Sequence, residues 1–293
     1  MNKKPVLGVI GGSGLYDLPG LKNSKLLEVS TPFGKTSSKI LSASYKKLSI
    51  FFLPRHGKKH QIAPNNINYK ANIFALKKVG VTDIISVSAV GSLKNKHKPG
   101  DFILVDQFID RTTSRSSSFF DNNCVAHVSM ARPVSEQLCK KIYQAKKKYM
   151  SIKKGGIYLA IEGPQFSTFA ESQLYRSWGC DVIGMTNLPE ARLAREAELG
   201  YSSICMITDY DCWKASHDDV TVEQIISVMN KNVNNVKILL TSLFDSLDVF
   251  KNWDWKRPEY NCLDGAIVTG KENISKSFIK KLNPIFRRYM SKN

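Results

Sequence analysis

Short β-branched runs alternate with helical patterns from one end of the chain to the other, and this alternation constrains the fold more than any other feature. Strand-like runs fall at 5–10, 48–53, 82–88, 102–109, 156–161, 181–185 and 201–208. Between them, 69–79 carries Ile73, Leu76 and Val79 at helical spacing and stops at Gly80, while 189–199 has proline in its first turn and stops at Gly200. Strand, helix, strand in that order predicts a doubly wound α/β sheet, mainly parallel. The unbroken apolar runs 84–87 and 204–207 predict central strands covered on both faces. A long helix is expected over 222–247 with an interruption at Asn234-Asn235, and a terminal helix over 275–290 broken at Pro284. No composition break, linker or repeat divides the chain, so 1–293 reads as one domain with 271–293 as a helical tail. The serine-rich stretch 112–123 reads either as a flexible loop beside a site or as an inert excursion.

With 42% hydrophobic and 10% aromatic residues, 293 residues can bury a substantial core. The apolar run 6–10 behind the lysines of the N-terminus breaks at Gly11-Gly12 without a small-residue cleavage site, so it reads as a first strand and not a signal peptide. No run approaches the roughly 18 apolar residues of a membrane-spanning helix. Six scattered cysteines without a C-x-x-C pair fit reduced, buried thiols in a cytoplasmic protein and argue against structural zinc. The formal charge of +18 favours anionic partners. Its lysines are dispersed, however, and not interleaved with aromatics, which fits a solvated surface that steers anions inward and not a nucleic-acid site.

The chemistry-bearing strings sit at the ends of the strand-like runs, where open α/β sheets build their clefts. GGSGLY at 11–16 offers backbone N–H groups and the Ser13 hydroxyl to an oxyanion, without the spacing of a dinucleotide fingerprint or a Walker lysine. Arg55 can fork onto two phosphate oxygens, and His56 can add a donor. His56 and His60 lack the glutamate and third ligand of a zinc site. Ser88, Ala89 and Gly91 allow a ligand close to the backbone, Phe166 can stack on a planar base, and Met185-Thr186 pairs a thioether with a hydroxyl. Asp209 and Asp211 are two apart, so a continuing strand would point both to one side and Thr208 and Tyr210 to the other. Crowded acids push one pKa upward and supply a neutral carboxyl for leaving-group activation. Singly, each string also admits a structural reading: a tight turn, an ion pair for Arg55, core packing for Phe166 and Met185, a cap for the aspartates. Jointly they suggest phosphate attacking a nucleoside.

The strings GVIGGSGLY, TPFG, LPRHGKKH, NYKAN, SAVGSL, DQFIDRT, EGPQFST, YRSWGCDVIGMTNLPEARLARE and TDYDCW, in this order from about residue 6 to 213, resemble the methylthioadenosine phosphorylase branch of the purine nucleoside phosphorylase family. The resemblance implies a central mixed, mainly parallel twisted sheet flanked by helices. It also implies a homotrimeric pentosyltransferase that uses inorganic phosphate to release adenine and 5-methylthioribose 1-phosphate, with no metal or organic cofactor. By the same resemblance the phosphate ligands are Ser13, Arg55, His56, Ser88 and Thr186 with Ala89 beside them, and Met185 lies against the ribose. Phe166 and Ser167 border the base, Asp209 and Asp211 contact the imidazole-ring nitrogen and the amino group, and His127 comes from a neighbouring subunit to close the 5′ pocket. The family often carries threonine where this chain has Ser13 and Ser88, and the segment after Trp213 departs more, which bears on the wall around the methylthio group. Aspartate at the base suits a 6-amino purine, leaving methylthioinosine or a general purine nucleoside as the alternative. A hydrolytic nucleosidase is opposed by the phosphate cluster, and a nucleic-acid binder by the scattered lysines.

Overall fold

The computed structural model describes residues 4–214, 222–246 and 252–291. Strand β5 (Asp83–Ser92) organises the sheet. On one edge it pairs with β11 (Gly200–Asp209), parallel, along nearly its whole length. On the other edge β1 (Leu7–Gly11) covers only Asp83 to Ser86, parallel, and β10 (Val182–Gly184) covers only Gly91 and Ser92, antiparallel. The two neighbours therefore diverge, and 87–90 is left between them without a strand partner on that edge.

Outward from β1 the sheet continues through β4 (Leu48–Pro54), β3 (Ile40–Tyr45) and β2 (Lys22–Leu27). Beyond β10 come β9 (Ile157–Ile161) and β7 (Gln107–Arg111), and β11 also pairs with β6 (Phe102–Val105), which pairs with β8 (Ile152–Lys154). Antiparallel contacts at β2–β3, β3–β4, β5–β10 and β6–β11 make the sheet mixed and not purely doubly wound. Ile84, Ile85, Ile204 and Ile207 are fully buried, as central strands require.

Helices α1 (Tyr69–Lys78), α2 (Glu136–Gln144), α3 (Phe169–Ser177), α4 (Asn187–Glu196) and α5 (Val222–Asp245) pack around this sheet. Side-chain caps start three of them: Asn68 on α1, Ser135 on α2, and Thr168 with Glu171 in a capping box on α3. The expected break at Asn234-Asn235 is absent. Val236, Leu239, Leu240 and Leu243 bury one face of α5 and hold the helix through the two asparagines. The expected strand 102–109 is instead two: it divides at Asp106, whose carboxylate accepts the Gly156 N–H at 2.9 Å, and β6 and β7 then pair with different neighbours. The tail forms α6 (Lys276–Lys281) and α7 (Asn283–Met290), with Phe278, Leu282, Ile285 and Phe286 in the same core cluster as Phe74 of α1.

The serine-rich stretch is tied down at two points along its length. Arg115 donates to the carbonyls of Ile161, Glu162, Met185 and Leu188 and to the Glu162 carboxylate. Glu196 accepts from the Phe119 N–H at 2.6 Å and the Ser118 hydroxyl at 2.7 Å. The loop thereby braces the ends of β9 and β10.

Asp83 is fully buried at the start of β5, accepting from Tyr260 at 2.6 Å and Thr82 at 2.7 Å. Desolvation pushes its carboxyl up to about 7, against those hydrogen bonds. The fold binds this proton more tightly than the unfolded chain does, so the stabilisation is complete below the unfolded carboxyl range and is lost as pH rises through about 7. Between pH 5 and 8, wild type should lose about 2–3 kcal/mol relative to Asp83→Asn, which has no proton to give up. Urea unfolding of both at several pH values checks this, and parallel curves would contradict it.

Candidate active site

The gap beside β5 opens into a cavity of about 550 Å³. Arg55, His56, Ser88, Ala89, Phe166, Ser167, Met185, Thr186, Asp209 and Asp211, drawn from the ends of separate strands, all line it. Gly12 and Gly14 line it as well, and the space where a Gly12 Cβ would stand is open. The Ser13 side chain between them lies outside the described residues. His127 is not part of this wall; its backbone N–H donates to Ala266 O at 2.8 Å.

At one end the Arg55 guanidinium, 2% exposed, is held by four hydrogen bonds to three groups. It donates from Nε and Nη2 to Glu190 at 2.8 and 3.0 Å, from Nη2 to Ser86 Oγ at 2.7 Å, and from Nη1 to Val87 O at 3.0 Å. The fork that the sequence offers to phosphate is thus spent on Glu190, leaving one Nη1 hydrogen of the five. Burial opposes the charge of Arg55, but Glu190 outweighs it and holds the group above its ordinary range. Tyr201 donates to the same Glu190 carboxylate at 3.0 Å.

His56 also differs from its expected role. Its Nδ1 lies 2.9 Å from Ile62 O, an acceptor only, so Nδ1 carries the hydrogen. Burial and the neighbouring Arg55 push its pKa down to about 4, so at neutral pH Nε2 presents a lone pair and not a donor. The rings of His56 and His60 stack with centroids 4.4 Å apart. Among the described residues no group of three or more potential ligands could hold a metal ion. Ser88 donates to Asn187 Oδ1 at 3.3 Å, whereas Thr186 Oγ1 and Ser167 Oγ are buried without a hydrogen-bond partner and line the cavity. Such orphaned hydroxyls suit a polar ligand.

At the other end stand the two aspartates. Burial raises the pKa of both; Thr208 and the Asp211 N–H pull Asp209 back, while the charge of Asp209 adds to the rise at Asp211. Their geometry is not that of a continuing strand. β11 ends at Asp209, Asp211 has φ 53°, and Thr208 joins the aspartates in the cavity wall instead of pointing away. Gly91 is required here, because a Cβ would come within 2.8 Å of Asp209 Oδ1. Leu15, Met206, Met229 and Val233 form an apolar part of the remaining wall, which also includes Asn230 and His60. Met229 and Val233 are four apart on α5 and share a face. In the sequence they look like any core stripe, just as Glu190 looks like an ordinary first-turn acid; neither carries a separate signal.

This chain, an α/β sheet that opens a cleft between Arg55 and two buried aspartates, matches the profile described as "Phosphorylase superfamily" over residues 6–245 and belongs to that superfamily. Within it, the chain is a member of the methylthioadenosine phosphorylase family. It is 47% identical over 291 residues to the S-methyl-5′-thioadenosine phosphorylase of Rhodospirillum rubrum, covering 98% of each chain. It is likewise 47% identical to that of Bradyrhizobium diazoefficiens over 295 residues, 97% of this chain and 98% of the relative. Among solved structures, a methylthioadenosine phosphorylase from an Antarctic soil metagenomic library superposes with a TM-score of 0.89 at 38% identity, over 97% of this chain and 99% of the other. The enzyme of Schistosoma mansoni in complex with adenine gives 0.82 at 34% identity, over 90% and 99%.

Proposed function

We infer that this protein is a pentosyltransferase that cleaves S-methyl-5′-thioadenosine with inorganic phosphate, releasing adenine and 5-methylthioribose 1-phosphate. The observation that carries this reading is the single cavity joining Arg55 and Thr186 at one end to Asp209 and Asp211 at the other. Phosphate occupies the end with Gly12, Arg55, Ser88 and the unpartnered Thr186 hydroxyl, and its P–OH donates to His56 Nε2. Adenine lies by Phe166, Ser167 and the aspartates, ribose spans Met185, and the methylthio group meets Leu15, Met206, Met229 and Val233.

The glycosidic bond breaks ahead of phosphate attack, its electron pair passing into the purine as neutral Asp209 protonates the ring nitrogen. The cationic sugar is stabilised by the phosphate held beneath it. Arg55 acts mainly by position, since its charge is balanced by Glu190.

We further infer a homotrimer in which His127 of a neighbour completes the 5′ end. Support comes from the exposed apolar side chains of Phe166, in the cavity wall, and of Phe169, Leu174 and Trp178 along α3 and its C-terminal cap, and from His127 lying outside the wall of its own chain's cavity. A cytoplasmic location is supported by six cysteines that form no disulfide with one another.

The deciding assay incubates the protein with methylthioadenosine, adenosine, methylthioinosine and inosine, each with and without phosphate, and reads free base. Adenine release from methylthioadenosine that depends wholly on phosphate is expected. Release without phosphate would replace this reading with hydrolysis.

A further inference from the structure

Strand β11 reaches the cavity out of register. Ile207 pairs with Val90 and Asp209 with Gly91, so Thr208 is an inserted bulge residue. The bulge brings two consecutive side chains, Thr208 and Asp209, to the same cavity. It also sets the Thr208 hydroxyl 3.2 Å from Val90 O and 2.6 Å from Asp209 Oδ2. A hydroxyl has one hydrogen. Val90 O only accepts, and so does an ionised Asp209, which leaves one hydrogen shared between two acceptors. A neutral Asp209 completes the set: Oδ2–H donates to Thr208 Oγ1, and Thr208 donates to Val90 O. The Asp211 N–H meets Oδ1 at 2.7 Å in either state and fixes the carboxyl plane.

We propose that Thr208 is a positioning residue for the acid step, a hydroxyl rotor that remains bonded to Asp209 Oδ2 in both protonation states. The inference rests on the reading of Asp209 as the acid. As the glycosidic electron pair enters the purine, the Oδ2–H turns from Thr208 Oγ1 to the ring nitrogen, which takes the proton; that O–H bond breaks and an N–H bond forms. The Thr208 hydrogen then swings from Val90 O to Oδ2, with no bond of Thr208 broken. The new carboxylate is met by a donor already in place, with little reorganisation. Valine has the shape but not the rotor, and serine has the rotor.

Thr208→Val, Thr208→Ser and Asp209→Asn are compared in steady-state assays of the full chain with methylthioadenosine and phosphate. Thr208→Val should lose roughly 10- to 100-fold in kcat, with both KM values within about threefold of wild type, and Thr208→Ser should recover most of the loss. On the N7-methylated nucleoside, whose leaving group already carries its positive charge, the valine variant should lose far less. A kcat within about twofold of wild type, KM values that rise as kcat falls, or a serine variant no better than valine overturns the rotor. A crippled Asp209→Asn beside a normal Thr208→Val defeats the rotor alone. A normal Asp209→Asn defeats the acid assignment and the rotor with it.

Discussion

Asparagine at position 209 should lower kcat by roughly 100- to 10,000-fold while leaving the phosphate KM within about threefold of wild type. The side chain has nearly the same shape, and its Oδ1 can still accept the Asp211 N–H, now 2.7 Å away. What it lacks is a transferable proton. On the proposed reading phosphate sits at the far end of the cavity, among groups that Asp209 does not touch, so the loss would belong to departure of the base. Asp211→Asn tests a different role: its raised pKa reflects burial and then the charge of Asp209, and its position suits contact with the amino group. It should raise the nucleoside KM more than it lowers kcat. The pH profile adds a sign. Burial raises the Asp209 pKa, so the neutral acid persists above the ordinary carboxylate range and activity should fall on the alkaline side as that proton is lost. Asp209→Asn should flatten this limb. A variant with normal turnover and an unchanged limb would show that the purine departs without help from this carboxyl.

The parts of this site legible from the sequence are those in which residue type alone restricts the chemistry. Glycines at 11 and 12, arginine and histidine after an apolar run, and two acids closing another are few-purpose residues at strand ends. The strands themselves were readable because both faces are buried, which leaves continuous β-branched runs. β2 was not, since its residues from Lys22 to Leu26 are exposed and show no alternation; nor was β3, whose two serines interrupt the apolar run, nor β8, three residues long. The aspartate geometry escaped for a related reason. Period-two alternation assumes an unbroken strand, and a bulge at Thr208 with a left-handed Asp211 breaks it. The role of Arg55 depends on Glu190, far away in sequence, and that of His56 on the Ile62 carbonyl, brought back by the turn that follows it, and no hydrophobic pattern reveals either.

Glu190→Ala should destabilise the fold by about 3–5 kcal/mol, because it strands a buried guanidinium. Arg55 is 2% exposed and Glu190 1%, so water cannot replace the lost partner. The carboxylate also accepts from Tyr201, whose hydroxyl hydrogen would lose that acceptor as well. Glu190→Gln should cost less, since its carbonyl oxygen can still accept one of these donors, but it removes the negative charge and frees Arg55 to reach toward phosphate. Its phosphate KM should therefore change without parallel loss of the base-dependent step. The double variant Arg55→Met with Glu190→Leu separates charge from shape. Removing both ions together leaves neither uncompensated, so urea unfolding should return most of the stability lost in Glu190→Ala. Phosphorolysis should nonetheless stay depressed, because the methionine offers no N–H to phosphate. If the double variant were as unstable as Glu190→Ala, the loss would lie in packing around α4, and Glu190 would not be the group that makes a buried cation tolerable beside the phosphate end of the cavity.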